Sequence, residues 1–171
     1  MIFNHIDGVK VSAKFSKDKK YRYRLEVVLQ PKPAQGKTVC AVMQNPSCAG
    51  EDVADKSVQF LEKVVFQREL PEFRDVWRLI VVNQFAYIET NNFEGRLDQI
   101  GIRNNCAIEL ALRDADIVIL GWGSGNKFKD RQDFVINLLK QFKGKKLFRT
   151  KMHPSRGRYD GFIQPLREIP D

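Results

Sequence analysis

Four segments of the chain pair polar or glycine-rich residues with a preceding apolar run. Gln44-Asn45-Pro46-Ser47 follows Thr38-Val39-Cys40-Ala41-Val42-Met43, and Asn83-Gln84-Phe85 follows the run 77–82. Gly121-Trp122-Gly123-Ser124-Gly125 follows 116–120, and Met152-His153-Pro154-Ser155 follows 146–150. An Asn side chain sets a donor beside an acceptor, which suits it to reading a base edge or orienting a water, but it has no basic form at neutral pH. A His can donate, accept or carry charge. Each segment also has an ordinary explanation. Asn-Pro-Ser suits a turn into a helix cap, Asn83 could satisfy loop backbone groups, and His153 could be a plain surface histidine. The Gly121–Gly125 glycines suit a tight turn. That segment is no Walker A loop, because no Gly-Lys-Ser/Thr follows at the needed spacing, and it lacks the GxGxxG pattern.

These segments matter only if the elements before them bring them together. Residues 8–15 and 21–30 alternate as strands do, with a polar turn at Ser16-Lys17-Asp18-Lys19-Lys20, so a hairpin is expected. After the Pro31–Gly36 break, buried strands are expected at 38–43, 77–82, 116–120 and 146–150. Helices are expected between them. One covers 54–66, with Val58, Leu61, Val64 and Val65 at helical spacing; one covers 103–115, with Ala107, Leu110 and Ala111 on one face; one covers 131–142. This βαβαβαβ order implies an α/β three-layer sandwich with a central four-stranded parallel sheet and right-handed crossovers. In such sheets ligands collect at the carboxyl ends of the strands. The expectation is one domain over residues 1–171, with 1–36 as an N-terminal hairpin extension.

Composition narrows the partners. With 43% hydrophobic and 29% charged residues the chain reads as globular, and no apolar run nears the roughly 18 residues of a membrane span. Cys40, Cys48 and Cys106 form no CxxC pair and His5 and His153 are the only histidines, so reduced thiols, no metal and no cofactor are expected. The N-terminal residues lack signal-peptide character, so a cytoplasmic monomer is expected. The net charge of +8 is clustered: residues 10–37 hold nine Lys or Arg against two acids, and residues 140–158 hold eight and none. Such clusters suit a phosphate-bearing partner, DNA before RNA, or a nucleotide; the bland alternative is a solvated basic surface.

Gln44-Asn45-Pro46-Ser47, Val81-Val82-Asn83, Gly121-Trp122-Gly123-Ser124 and His153-Pro154-Ser155 occur in the order of motifs in the uracil-DNA glycosylase superfamily, which the chain resembles. It looks more closely like an uncharacterised bacterial and phage family, a domain of unknown function. That family shares a Tyr-x-Leu strand (Tyr23-Arg24-Leu25), Asn-Pro-Ser, an Asn pair (Asn104-Asn105), Trp-Gly and His-Pro, over roughly residues 21–158. The glycosylase resemblance implies that Asn45 positions water, Asn83 reads the base and His153 stabilises the departing base. Gln44 and Trp122 join Asn83 as base-binding candidates, with Phe60 and Phe85 as candidate stacking residues. Ser155, Arg156 and Arg158 would hold phosphates, with Lys127 and Lys151 as further candidates. Two positions depart from the most active branch: 45 is Asn instead of Asp, and Arg156 stands where proline precedes a leucine wedge. The leading expectation is a nucleic-acid-binding protein with a base-recognition pocket, whose catalytic form is a DNA glycosylase acting on an unusual base. A non-catalytic nucleic-acid- or nucleotide-binding module and an enzyme on a small nucleoside or nucleotide stay open beside it.

Overall fold

The structure is a computed structural model that describes residues 2–123, 125, 127–158 and 160–169. Its strands are β1 (Ile2–Phe3), β2 (Val9–Phe15), β3 (Arg22–Leu29), β4 (Lys37–Met43), β5 (Ala54–Asp55), β6 (Val76–Asn83), β7 (Ile117–Leu120), β8 (Lys146–Thr150) and β9 (Ile163–Leu166). The helices are α1 (Lys56–Glu62), α2 (Asn104–Asp114) and α3 (Lys129–Gln141). The main sheet is mixed and seven-stranded, ordered β2-β3-β6-β4-β7-β8-β9, while β1 and β5 form a small antiparallel ladder. Neighbours among β6, β4, β7 and β8 pair in parallel, and β2, β3 and β9 join antiparallel at the flanks.

The sheet is therefore larger than the four strands expected. The N-terminal hairpin is no appendage, because β3 pairs with β6 from Leu25 opposite Val81 to Val28 opposite Arg78. Strand β9 is not among the strands expected from the sequence. Its Ile-Gln-Pro-Leu is short and carries a proline, which a sheet accepts only where no ladder donor is needed, as on this edge strand.

Alternation along the central strands builds two cores. Val39, Ala41, Leu79, Val81, Ile117 and Ile119 face Val58, Leu61 and Val64 of the α1 side. Cys40, Val42, Ile80, Val82, Val118 and Leu120 face α2 and α3. Burial on both faces is why these strands read as unbroken apolar runs. The Cys40 thiol is sealed within this layer, and burial pushes its pKa up to about 12.

Helix boundaries differ from expectation for local reasons. α1 starts at Lys56 because Asp55 caps it, its carboxylate accepting the Val58 N–H at 2.9 Å, and a π turn (Lys63–Gln67) carries the helix on. The buried face of α2 is Asn104, Ile108, Ala111 and Leu112; Leu110, expected inside, is 38% exposed. α3 begins two residues before the expected start.

Chain direction across the sheet reverses around β4. The crossover through α1 leads to β6 on one side, and the crossover through α2 leads to β7 on the other. The loops after β4 and β7 thus leave toward opposite faces, the arrangement that opens a crevice at a carboxyl edge.

The α1 layer also buries an ion pair. Glu62 is fully buried, and its carboxylate accepts from His5 Nδ1 and from the Ile6 N–H at 3.2 Å. His5 Nε2 donates to the Gly50 carbonyl at 2.9 Å, so both ring nitrogens face acceptors and the imidazolium is the satisfied form. Burial opposes that charge, but the Glu62 hydrogen bond and charge and the backbone acceptors outweigh it, raising the His5 pKa. The pair's stabilisation is then fully present below about pH 6.5 and lost as pH rises through the raised folded value. Urea midpoints followed from about pH 6 to 9 should fall as this contribution disappears, and His5→Gln should remove that part of the fall.

Candidate functional site

Backbone hydrogen bonds carry strand pairing beyond the strand ends and draw the four segments together. The Gln84 N–H donates to the Met43 carbonyl at 2.8 Å, Phe85 to Gln44 at 3.0 Å and Glu89 to Pro46 at 3.1 Å. On the other side of β4, Gly121 donates to Val42 at 2.7 Å, and Thr150 Oγ1 donates to the Leu120 carbonyl at 3.4 Å. A Cβ at Gly121 would stand 3.2 Å from Met43 Cγ and the Val42 carbonyl. At Gly123, where φ is +80°, it would stand 3.0 Å from the His153 nitrogen. Close backbone approach accounts for both glycines, and the second seats the β7 loop against the start of His-Pro-Ser. Ser124 lies outside the described residues.

Asn45 is half-buried and tethered. Its Nδ2 donates to the Glu89 carbonyl at 2.7 Å and the Pro46 carbonyl at 3.2 Å, while Gln44 Nε2 donates to its Oδ1 at 3.3 Å. Two residues on, Ser47 Oγ donates to Asp55 Oδ2 at 2.6 Å. The carboxylate that caps α1 therefore also ties down the Asn-Pro-Ser loop.

Asn83 is 1% exposed, and its neighbourhood contains the residue that alternation concealed. Arg22, also 1% exposed, donates from Nη1 to the Ala49 carbonyl at 2.8 Å and from Nη2 to Asn83 Oδ1 at 3.2 Å. Strict alternation would put Arg22 on the face of Arg24 and Glu26. A bulge at the start of β3, where Phe15 pairs with Arg22 but Lys14 with Arg24, turns it to the face of Leu25 instead. Burial pulls the Arg22 pKa down to about 10 against the opposing charge of Asp55, so it remains protonated at neutral pH. The main chain here is fixed too. Asn104 Nδ2 donates to the Asn83 carbonyl at 2.9 Å and the Gln84 carbonyl at 3.0 Å, and Arg131 Nε donates to Gln84 at 2.9 Å. Arg22 Nε, Asn83 Nδ2, both amide atoms of Gln84 and Asn104 Oδ1 are buried without a hydrogen-bond partner. Buried polar atoms are rarely left so, and strain, a catalytic role or a bound water or ion accounts for the exceptions.

Asp55 links His153 to this cluster by its charge, which acts on both His153 and Arg22. Nδ1 accepts the Ser155 N–H at 3.3 Å and meets Ser155 Oγ at 3.0 Å. A ring nitrogen that accepts a backbone N–H carries no proton, so the neutral ring bears its hydrogen on Nε2. Burial lowers the His153 pKa, Asp55 works against that shift and Arg156 adds to it. The residue stands ready as a neutral donor.

The basic candidates divide. Lys151, Arg156 and Arg158 line one cleft of about 780 Å³, with Lys56, Met152, Gly157, Asp160 and Phe162. Ser155 belongs to the same short turn (Pro154–Arg156). Lys127 lies in a different hollow, of about 320 Å³, with Phe85, Phe128 and Arg131, its ammonium 5.1 Å from the Phe128 ring centroid. Trp122 packs on the α2–α3 core. Of the stacking candidates, Phe60 meets Phe162 edge-on at the cleft wall, and Phe85 sits edge-on to Phe93 and Phe128. Among the described residues, no group of three or more His, Cys, Asp or Glu is placed to hold a metal, and no helix is long and apolar enough to cross a membrane.

A family model described as Protein of unknown function (DUF1643) matches residues 22–156. The chain belongs to this family. The DUF1643 match opens on Arg22 and ends on Arg156, so it spans Asn45, Asn83, Asp55 and His153 while β2 and β9 fall outside it. No curated protein and no solved structure matches the chain.

With two histidines in the chain, one proton-NMR titration reads both electrostatic assignments. His5 should titrate above about 6.5 and His153 below it. Asp55→Asn should lower the His153 midpoint further by removing the favourable charge, and Arg156→Ala should raise it. A His153 midpoint that ignores both substitutions would contradict this geometry.

Proposed function

We propose that the protein binds nucleic acid along the basic cleft and presents one base to Asn83 and His153, in the manner of the uracil-DNA glycosylase superfamily that its motifs resemble. The observation that carries this reading is the adjacency of two unlike environments on one turn. His153 is half-buried, with its pKa lowered by desolvation so that the neutral ring is favoured, while Lys151, Arg156 and Arg158 beside it open into a cleft that Lys56 makes more basic still. Phosphates favour the second environment, and a desolvated base favours the first. The parallel order β6-β4-β7-β8, with Asn83 ending β6 and Asn45 and His153 just beyond β4 and β8, supports the same reading.

In the catalytic form of this function, water adds to the sugar carbon as the bond to the base breaks, the base leaves with the electron pair, and the proton the water sheds passes through solvent to the departed base. His153 Nε2–H would donate to the base oxygen on which negative charge grows. Asn45 cannot take the water's proton. Its Nδ2 is committed to two carbonyls, and Oδ1, which accepts from Gln44 Nε2, has one further lone pair to orient the water. That lack of a base favours the second reading, a non-catalytic nucleic-acid- or nucleotide-binding module.

Oligonucleotides carrying uracil, deaminated or bulky modified bases separate the two, assayed for binding and for free base. A glycosylase should lose on the order of a hundredfold in cleavage rate in His153→Ala, with binding changed only a few-fold. Replacing Arg156 and Arg158 together by Ala should weaken binding and flatten its salt dependence by about 0.9 in log–log slope for each phosphate no longer neutralised. Binding without base release supports the module. No binding even at low salt removes the polymer reading.

A further inference from the structure

The buried guanidinium of Arg22 has a consequence for what the site selects, and it rests on the base-recognition reading of Asn83. Among the described residues, no carboxylate lies within ion-pair distance of Arg22. The nearest acid to influence it, Asp55, is occupied by Ser47 and the Val58 N–H. A charge buried without an ion partner is costly, and a simple anchor for the Ala49 carbonyl does not require one. What the guanidinium adds is its second bond, to Asn83 Oδ1. Arg has donors and no acceptor, so only the oxygen end of the Asn83 amide can face it. The amide nitrogen then points elsewhere, and Nδ2 is buried with no partner in the protein.

An unconstrained Asn is indifferent between two base edges, because turning its amide over exchanges donor and acceptor. Here the turn would set the Asn83 amide nitrogen against the guanidinium, two buried donors facing each other with no acceptor between them. The backbone cannot shift to compensate, since Asn104 and Arg131 hold the carbonyls of Asn83 and Gln84. We propose that Arg22 is a positioning residue that locks the Asn83 amide with Nδ2 toward the ligand, so that the site selects a base edge bearing a carbonyl oxygen over one bearing an amino group. The bulge that aims Arg22 inward fits this role, because such irregularities recur where a side chain must be redirected beside a site.

The test is fluorescence anisotropy of the full chain with oligodeoxyadenosine strands carrying one central deoxyuridine or one central deoxycytidine. Wild type should prefer deoxyuridine by roughly tenfold or more, the scale on which hydrogen-bonding sites reject a mismatched edge. Arg22→Met should bring the two affinities to within about threefold by freeing the amide, and Arg22→Lys, which keeps a donor near Oδ1, should restore part of the preference. Thermal melting checks that each variant is folded. Should Arg22→Met fail to fold, Asn83→Asp carries the test. It keeps the Arg22 contact as an ion pair and removes only the donor, so the deoxyuridine preference should vanish or reverse. A folded Arg22→Met or Asn83→Asp with the wild-type preference overturns the proposal, as does a wild type that favours deoxycytidine or favours neither. If wild type binds neither strand, the base-recognition reading itself falls, an outcome distinct from binding without discrimination.

Discussion

The Asp55 carboxylate is the point at which the fold and the candidate site share one group. One oxygen accepts the Val58 N–H and starts α1; the other accepts the Ser47 hydroxyl and holds the Asn-Pro-Ser loop. Its charge reaches Arg22 on one side and His153 on the other, partly offsetting in each the effect of burial. Capping a helix is an ordinary use of Asp. Here the same cap sets the ionic character of the crevice, because Glu62, the other buried acid on this side of the sheet, is committed to His5.

That economy shows in how the two faces of the sheet are used. The α1 face carries the His5–Glu62 pair and the buried Arg22–Asn83 contact. The α2–α3 face is almost wholly apolar up to Leu120, where Trp122 continues it. Polar side chains from both layers, Arg22 on the α1 side and Asn104 and Arg131 on the α2–α3 side, reach the carboxyl edge, where strand pairing has ended and loop carbonyls are free to accept. Arg22, Asn104 and Arg131 all spend donors on such carbonyls. The strand ends are thus stiffened from below by side chains, and do not rely on loop packing alone.

Much of this was legible in the sequence because burial on both faces writes near-unbroken apolar runs, which marked β4, β6 and β7, while the shorter, mixed Lys146–Thr150 segment marked β8. The polar residues that ended them, Asn45, Asn83 and His153, could be marked as candidates for the same reason. Other features left no such trace. Strand β9 is four residues with a proline and has no alternation to detect. The face of α2 was misread because Leu110 looks like core and Asn104 does not, yet Asn104 is buried to serve two backbone carbonyls. Lys127 is grouped with Arg156 and Arg158 as a phosphate candidate from its charge, but a separate aromatic hollow holds it. Asp55 looked like an early residue of a helix, whereas it pairs with Ile2 and caps the helix that follows. Arg22 was hidden most completely, since in Tyr-Arg-Tyr-Arg-Leu it has the position of a solvent-facing residue.

The bulge that overrides that position ties the interior of the site to the length of the chain before it. Between β2 and β3 the connection is polar, exposed and held by Ser16 and Asp18, the kind of turn that ordinarily tolerates gain or loss of a residue. In this protein it does not have that freedom. A one-residue deletion that restored regular pairing at Phe15 would send the guanidinium out into water. The crevice would then keep its Asn and lose the group that tells the amide which way to face, through an edit made on the far side of the hairpin.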